Sequence, residues 1–197
     1  MGMDFTALRA DIARAAERAF TELKARHRGE HFYAFALYTD DGAQTVVPAA
    51  NSEEGFARKL ALSGADETEY PHYRWSTGEW LYDAVGDEHF RGISDRLNAP
   101  GAAPSEEEDP SGEAFGAFKQ GLLDAMTGAL SDLEARGFFG KGAVREQVTL
   151  FASISDSDDA EEAENASARR LNPAPVLAAF LERYPESDAD AEDDDEE

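Results

Sequence analysis

The sequence predicts an α+β fold, with a mainly antiparallel sheet built on a central hairpin and about five or six flanking helices. Three observations carry that expectation. Phe32 to Thr39 is a run of aromatic and small apolar residues, Asp40-Asp41-Gly42-Ala43 follows, and Gln44 to Ala50 is β-prone again. Asp-Gly between two such runs signals a hairpin, because glycine accepts the positive φ of a tight reversal. Long stretches of helical apolar periodicity lie on either side of the hairpin, and one further strand run, Gln147 to Ser155, stands alone. Adjacent antiparallel strands among helices, without a repeating strand–helix–strand order, indicate α+β architecture.

Each element has a local reason. Phe5, Leu8, Ile12, Ala15, Ala19 and Leu23 recur at three- and four-residue steps and predict a helix over 4–27, with Asp4 as its N-cap. In the first hairpin strand, Phe32, Ala34, Ala36 and Tyr38 alternate with Tyr33, Phe35, Leu37 and Thr39. Both faces are apolar, so the strand is expected inside the sheet and covered on both sides. Asn51-Ser52-Glu53-Glu54 reads as a helix start, with Asn51 capping and Glu54 reaching back, ahead of Phe56, Ala57, Leu60 and Ala61. Residues 63–71 form a polar connection, and 88–97 a short helix bearing Phe90, Ile93 and Leu97. Asp109-Pro110 announces a long helix whose stripe is Phe115, Phe118, Leu122, Met126, Ala129 and Leu133, ended by Gly137. Val148, Leu150, Ala152 and Ile154 share one face of the third strand. Residues 157–170 form a marginal acidic helix, and Asn172-Pro173 caps a last one with Val176, Leu177, Phe180, Leu181 and Tyr184. The organisation expected is one domain over 1–185 and a disordered acidic tail over 186–197.

Charge is distributed unevenly. The formal net charge is −24, and 20 of the 42 acids lie in 106–113, 156–164 and 186–197, which contain no Lys or Arg. The remainder carries 22 acids against 18 bases, a balance of −4. Adaptation to high salt would spread acid over every surface; here the excess sits in loops and a tail. No basic stripe exists to neutralise phosphates, which argues against nucleic acid as a ligand. There is no cysteine, which removes disulfides and thiolate chemistry and fits a cytoplasmic, reducing location. No apolar run approaches the length of a membrane span, and no secretion signal is read at the N-terminus.

The motifs that invite a chemical reading fail on spacing. Gly137-Phe138-Phe139-Gly140-Lys141-Gly142 lacks the glycine and the Ser or Thr of a phosphate loop. Asp156-Ser157-Asp158-Asp159-Ala160-Glu161 starts like a calcium loop but has Glu161 where glycine is needed and Ser167 where glutamate is needed. His27, His31, His72 and His89 make no metal pattern, since a helix end falls between the first two. In Arg74-Trp75-Ser76-Thr77-Gly78-Glu79-Trp80, Ser76 and Glu79 have capping-box spacing, and Trp75 and Trp80 staple spacing. That segment is expected to launch a helix, which leaves only Arg74 without a local role.

Taken together, Phe32–Asp41, Pro48–Asn51, Arg74–Trp80, Gly137–Gly140, a strand ending in Asp156, and Ser167–Pro173 resemble the uncharacterised bacterial domain-of-unknown-function family 4303, over roughly residues 4–184. The resemblance implies a shared fold and carries no activity with it. More loosely, small α+β proteins of this kind resemble immunity proteins of bacterial toxin systems, a fold-level analogy. The expectation is a non-enzymatic protein-binding module, immunity- or antitoxin-like in one version, whose acids oppose a partner's basic surface. No catalytic, metal or cofactor site is expected. The competing expectation is a small-ligand-binding protein or enzyme with a cleft around Arg74, Tyr38, Glu79 and Asp156.

Overall fold

Asp4 opens α1 (Phe5–Arg26) by accepting hydrogen bonds from the Thr6 and Ala7 amides, both at 3.0 Å. The computed structural model describes residues 2–105, 107 and 109–184. The expected tail over 186–197 lies outside them. After α1 come the hairpin strands β1 (Phe32–Asp40) and β2 (Val47–Ser52), then α2 (Glu53–Ser63), α3 (Tyr70–Trp75), a two-residue β3 (Tyr82–Asp83) and α4 (Arg91–Leu97). The long α5 (Glu113–Ala135) leads to β4 (Thr149–Ser155), α6 (Ala160–Leu171) and α7 (Ala174–Leu181). Short 3-10 turns fill several connections, among them Thr77–Glu79 and Asp87–Phe90.

The α+β class holds, and the sheet order is β3-β2-β1-β4. The hairpin pairs β1 with β2 antiparallel, and β3 joins β2 antiparallel. β4 lies parallel to β1, from Ala34 opposite Thr149 to Asp40 opposite Ser155, so the sheet is mixed. Helix packing explains the parallel pair. Phe5 sits over Gly121, Arg9 holds Asp132, and Arg136 holds Glu17, so α1 and α5 run in the same direction. Each is followed by a strand, and two helix–strand units side by side bring their strands in parallel.

One sheet face and α1, α4 and α5 enclose the larger core, with Leu8, Ile12, Phe20, Phe35, Leu37, Leu122, Met126, Leu150, Ala152 and Ile154 buried together. The opposite face carries Tyr33, Ala34, Ala36, Ala49, Trp80, Phe151 and Phe180. Burying each large side chain contributes about 1.5–3 kcal/mol, so both layers matter for stability. β1 is covered on both faces as expected, but strict alternation fails at its start. The register shifts between Phe32 and Ala34, which sends Phe32 to the first core and Tyr33 to the second. A bulge of this kind re-aims one side chain, and here it aims Tyr33 at the end of α3.

Three local expectations are corrected. Asn51 is buried in β2, and Ser52 caps α2 by accepting from Gly55 N at 2.8 Å; the carboxylate of Glu54 instead accepts from His31 N. α5 starts at Glu113, past Asp109-Pro110, although Asp109 still accepts from Phe115 N at 2.9 Å. Its end is as expected: Gly137 has φ 74°, with Gly137 N bonded to Glu134 O and Phe138 N to Leu133 O, a Schellman closure. Asn172 does not cap α7. It stands at the end of α6, where its amide accepts from Leu150 N (2.8 Å) and donates to Leu150 O (2.7 Å). Ser167 treats Ala152 in the same way. Side chains of α6 therefore take the place of a neighbouring strand and seal the outer edge of β4.

Among the described residues no helix is long and apolar enough to cross a membrane.

Candidate functional site

The segment around Arg74 forms a closed joint. α3 ends where a helix was expected to begin, and Ser76 makes no side-chain cap, since only a 3-10 turn follows. The physical reason is tertiary: the indoles have better partners in the core than a staple offers. Trp75 meets the Tyr33 and Phe180 rings edge-on, and Trp80 meets Phe151 edge-on. The Arg74 carbonyl, left without a helical partner, accepts from Tyr33 Oη (2.8 Å) and Trp80 Nε1 (2.9 Å). Asn51 Nδ2 donates to the same Tyr33 oxygen at 3.0 Å. The Arg74 guanidinium lies 4.0 Å from the Tyr33 ring centre and grips Glu53 with both ends, at 2.7 and 3.0 Å. Its donors are spent on a neighbouring acid, not aimed into a hollow.

The other expected residues are placed as follows. Glu79 pairs with Lys59 at 3.1 Å and approaches His72 at 3.9 Å. Tyr38 donates to Asp83 at 2.9 Å. Burial, that bond, and the charges of Asp83, Asp156 and Asp87 push the phenol well above its ordinary value and keep it protonated. Tyr38 and Asp156 thus meet at one end of the sheet, where Asp156 and Ala84 both adopt left-handed backbone. Arg74 and Glu79 hold other partners.

The densest polar cluster lies at the opposite end of the sheet and was not read from sequence. Glu30 precedes β1. Its carboxylate accepts from Ser52 Oγ, from Tyr82 Oη (2.6 Å) and from Arg58 Nη2 (2.8 Å), with His27 Nδ1 at 3.3 Å. Arg58 also donates to Tyr82 Oη at 2.6 Å. Partial burial raises the Glu30 pKa, but the bonds from Ser52, Tyr82 and Arg58 and the Arg58 charge outweigh it and pull it down to about 2. Burial and Glu30 push Tyr82 up to about 12. Ser52 is fully buried and also accepts from Gly55 N, so it offers no nucleophile. The cluster is a clamp joining the start of the hairpin, α2 and β3. Its residues span 27 to 82, and no local spacing reveals a contact set only by strand pairing.

This clamp has a pH consequence. A carboxylate with a lowered folded pKa adds stability that is complete above its ordinary value of 4.5 and is lost as pH falls toward about 2. Glu30→Gln is therefore expected to cost on the order of 2 kcal/mol at neutral pH and much less near pH 2. Urea denaturation of both proteins across that range measures it.

The site geometry defines a mixed-sheet α+β protein whose conspicuous polar clusters hold the fold together. The chain belongs to the family described as a domain of unknown function, DUF4303, whose model matches residues 12–173. No curated protein and no solved structure matches it.

Proposed function

We propose that this protein is a binding module that engages another protein through the ledge formed by α2 and α3. The observation that carries this reading is exposed apolar surface on elements that bury little of their own. Leu62 is 80% exposed and Tyr70 37%, while α2 fully buries only Gly55 and α3 buries no residue completely. Asp66, Glu67 and Glu69 border this ledge, which suits a partner with an apolar patch ringed by bases. The surplus acid elsewhere would steer such a partner during approach. An immunity- or antitoxin-like role is the specific form this takes. In this reading Arg74, Tyr38 and Glu79 serve the scaffold, because each is engaged with protein groups, and Asp156 adds charge beside the Tyr38 phenol.

Cross-linked capture from the native host, with wild type and Leu62→Asp in parallel, tests it. Leu62 is exposed enough for the variant to keep its melting temperature. One stoichiometric partner is expected with wild type at low and moderate salt, and none with the variant. The same partner on both proteins, or none on wild type, contradicts the reading.

A further inference from the structure

We infer that the hollow between α1 and α4 is an anion site for a small phosphate-bearing ligand. This is a second function, on the sheet face opposite the α2–α3 ledge. The hollow has a volume of about 300 Å³ and is lined by Arg14, Arg18, Arg96, His89, Asp11 and the backbone of Gly92. In a chain of net charge −24, three arginines line one hollow beside a single lining carboxylate. Arg14 and Arg96 both hold Asp11, Arg96 at 2.5 Å. Arg18 has no acidic partner among the described residues. His89 faces the hollow from the 3-10 turn, with its Nε2 3.1 Å from Glu22. Among the lining residues the three arginines outnumber the one carboxylate, with Glu22 and Glu88 standing beside His89, and the planar forks of Arg match the oxygens of a phosphate group.

Gly92 is the second observation. It lies in α4 with ordinary helical backbone, and a Cβ built there meets nothing within 4 Å. Neither conformation nor packing calls for glycine, which is a poor helix former. Its bare backbone keeps the floor of the hollow open. The hollow itself is small, about 300 Å³, with Ala15 and Ile93 as its apolar lining, so it fits a phosphate or diphosphate group and not an extended polymer.

Calorimetric titration of the full chain with pyrophosphate tests the site. A dissociation constant on the order of 10–100 μM is expected. Arg18→Ala should weaken it about tenfold, as loss of one charge-assisted contact does. Gly92→Leu should abolish binding with the melting temperature kept, because the side chain enters open space. Asp11→Asn should tighten binding several-fold by releasing Arg14 and Arg96. No binding by wild type at about 5 mM pyrophosphate, or unchanged binding by Gly92→Leu, overturns the inference. So does tighter binding of a peptide with the sequence of residues 186–197, which would make the hollow a seat for acidic chain.

Discussion

Arg183→Met is expected to destabilise the protein by about 3–5 kcal/mol at neutral pH, the usual cost of removing one member of a buried ion pair. The Arg183 side chain is 0% exposed and its Nη2 donates to Glu164, itself 11% exposed, at 2.8 Å. Nη1 donates to Asn165 Oδ1 (2.6 Å) and to the Phe180 carbonyl at the end of α7 (2.9 Å). The guanidinium also lies 4.1 Å from the Phe180 ring centre. Glu164 has one other donor, Ser153 Oγ at 2.7 Å. Burial already raises the Glu164 pKa despite Ser153 and Arg183. Without the arginine that pKa climbs further, so the folded state takes up a proton that the unfolded state releases. A raised carboxyl pKa means stability lost as pH rises, so the deficit of the variant should be larger near pH 7 than near pH 5. The double variant Arg183→Met with Glu164→Gln should recover part of the loss, because no charge is then stranded. Urea denaturation at the two pH values gives all three quantities.

Gly86→Ala should cost on the order of 3 kcal/mol, more than its chemistry suggests. Gly86 has φ 88°, and a Cβ there would lie 2.6 Å from Ala19 Cβ and 2.9 Å from Ala19 Cα. The neighbour is the backbone of α1, which cannot step aside. The 3-10 turn over Asp87–Phe90 would have to lift, drawing the buried Phe90 from the core and parting His89 from Glu22. Gly64→Ala is the control. Its φ is 69°, but nothing lies within 4 Å of a Cβ. Only left-handed strain remains, about 1 kcal/mol. Comparable losses in the two variants would show that Gly86 does not dock the turn.

The contrast between these glycines shows what was legible in the sequence. Gly137 was readable as a helix stop because its partners, Leu133 and Glu134, lie within five residues. The strand runs of the hairpin, α1 and the buried face of β4 were readable for the same reason, since periodicity is local; the turn itself was not, because the positive φ expected of Gly42 falls on Ala43 (φ 53°). Gly86 was not, because its need for glycine comes from Ala19. The same limit governs the Trp75–Trp80 segment. Its spacing satisfies the rule for a helix start, yet Tyr33, turned by a bulge, and Phe151 and Phe180, from far along the chain, decide where the indoles go. Asn51 was expected as the cap, and strand pairing with β1 moves that role one residue on, to Ser52. The Glu30 clamp left no trace in spacing because each of its partners is brought by a different element.

The claim on which the rest depends is that Arg74 is bound to the scaffold and not kept free for a ligand. A double-mutant cycle with Arg74→Met and Glu53→Gln, read as unfolding free energy in urea, measures this directly. The two-pronged contact, backed by the Tyr33 ring, should give a coupling of about 1 kcal/mol. A coupling indistinguishable from zero would mean that Glu53 does not hold the guanidinium, and the closed joint described here would be contradicted.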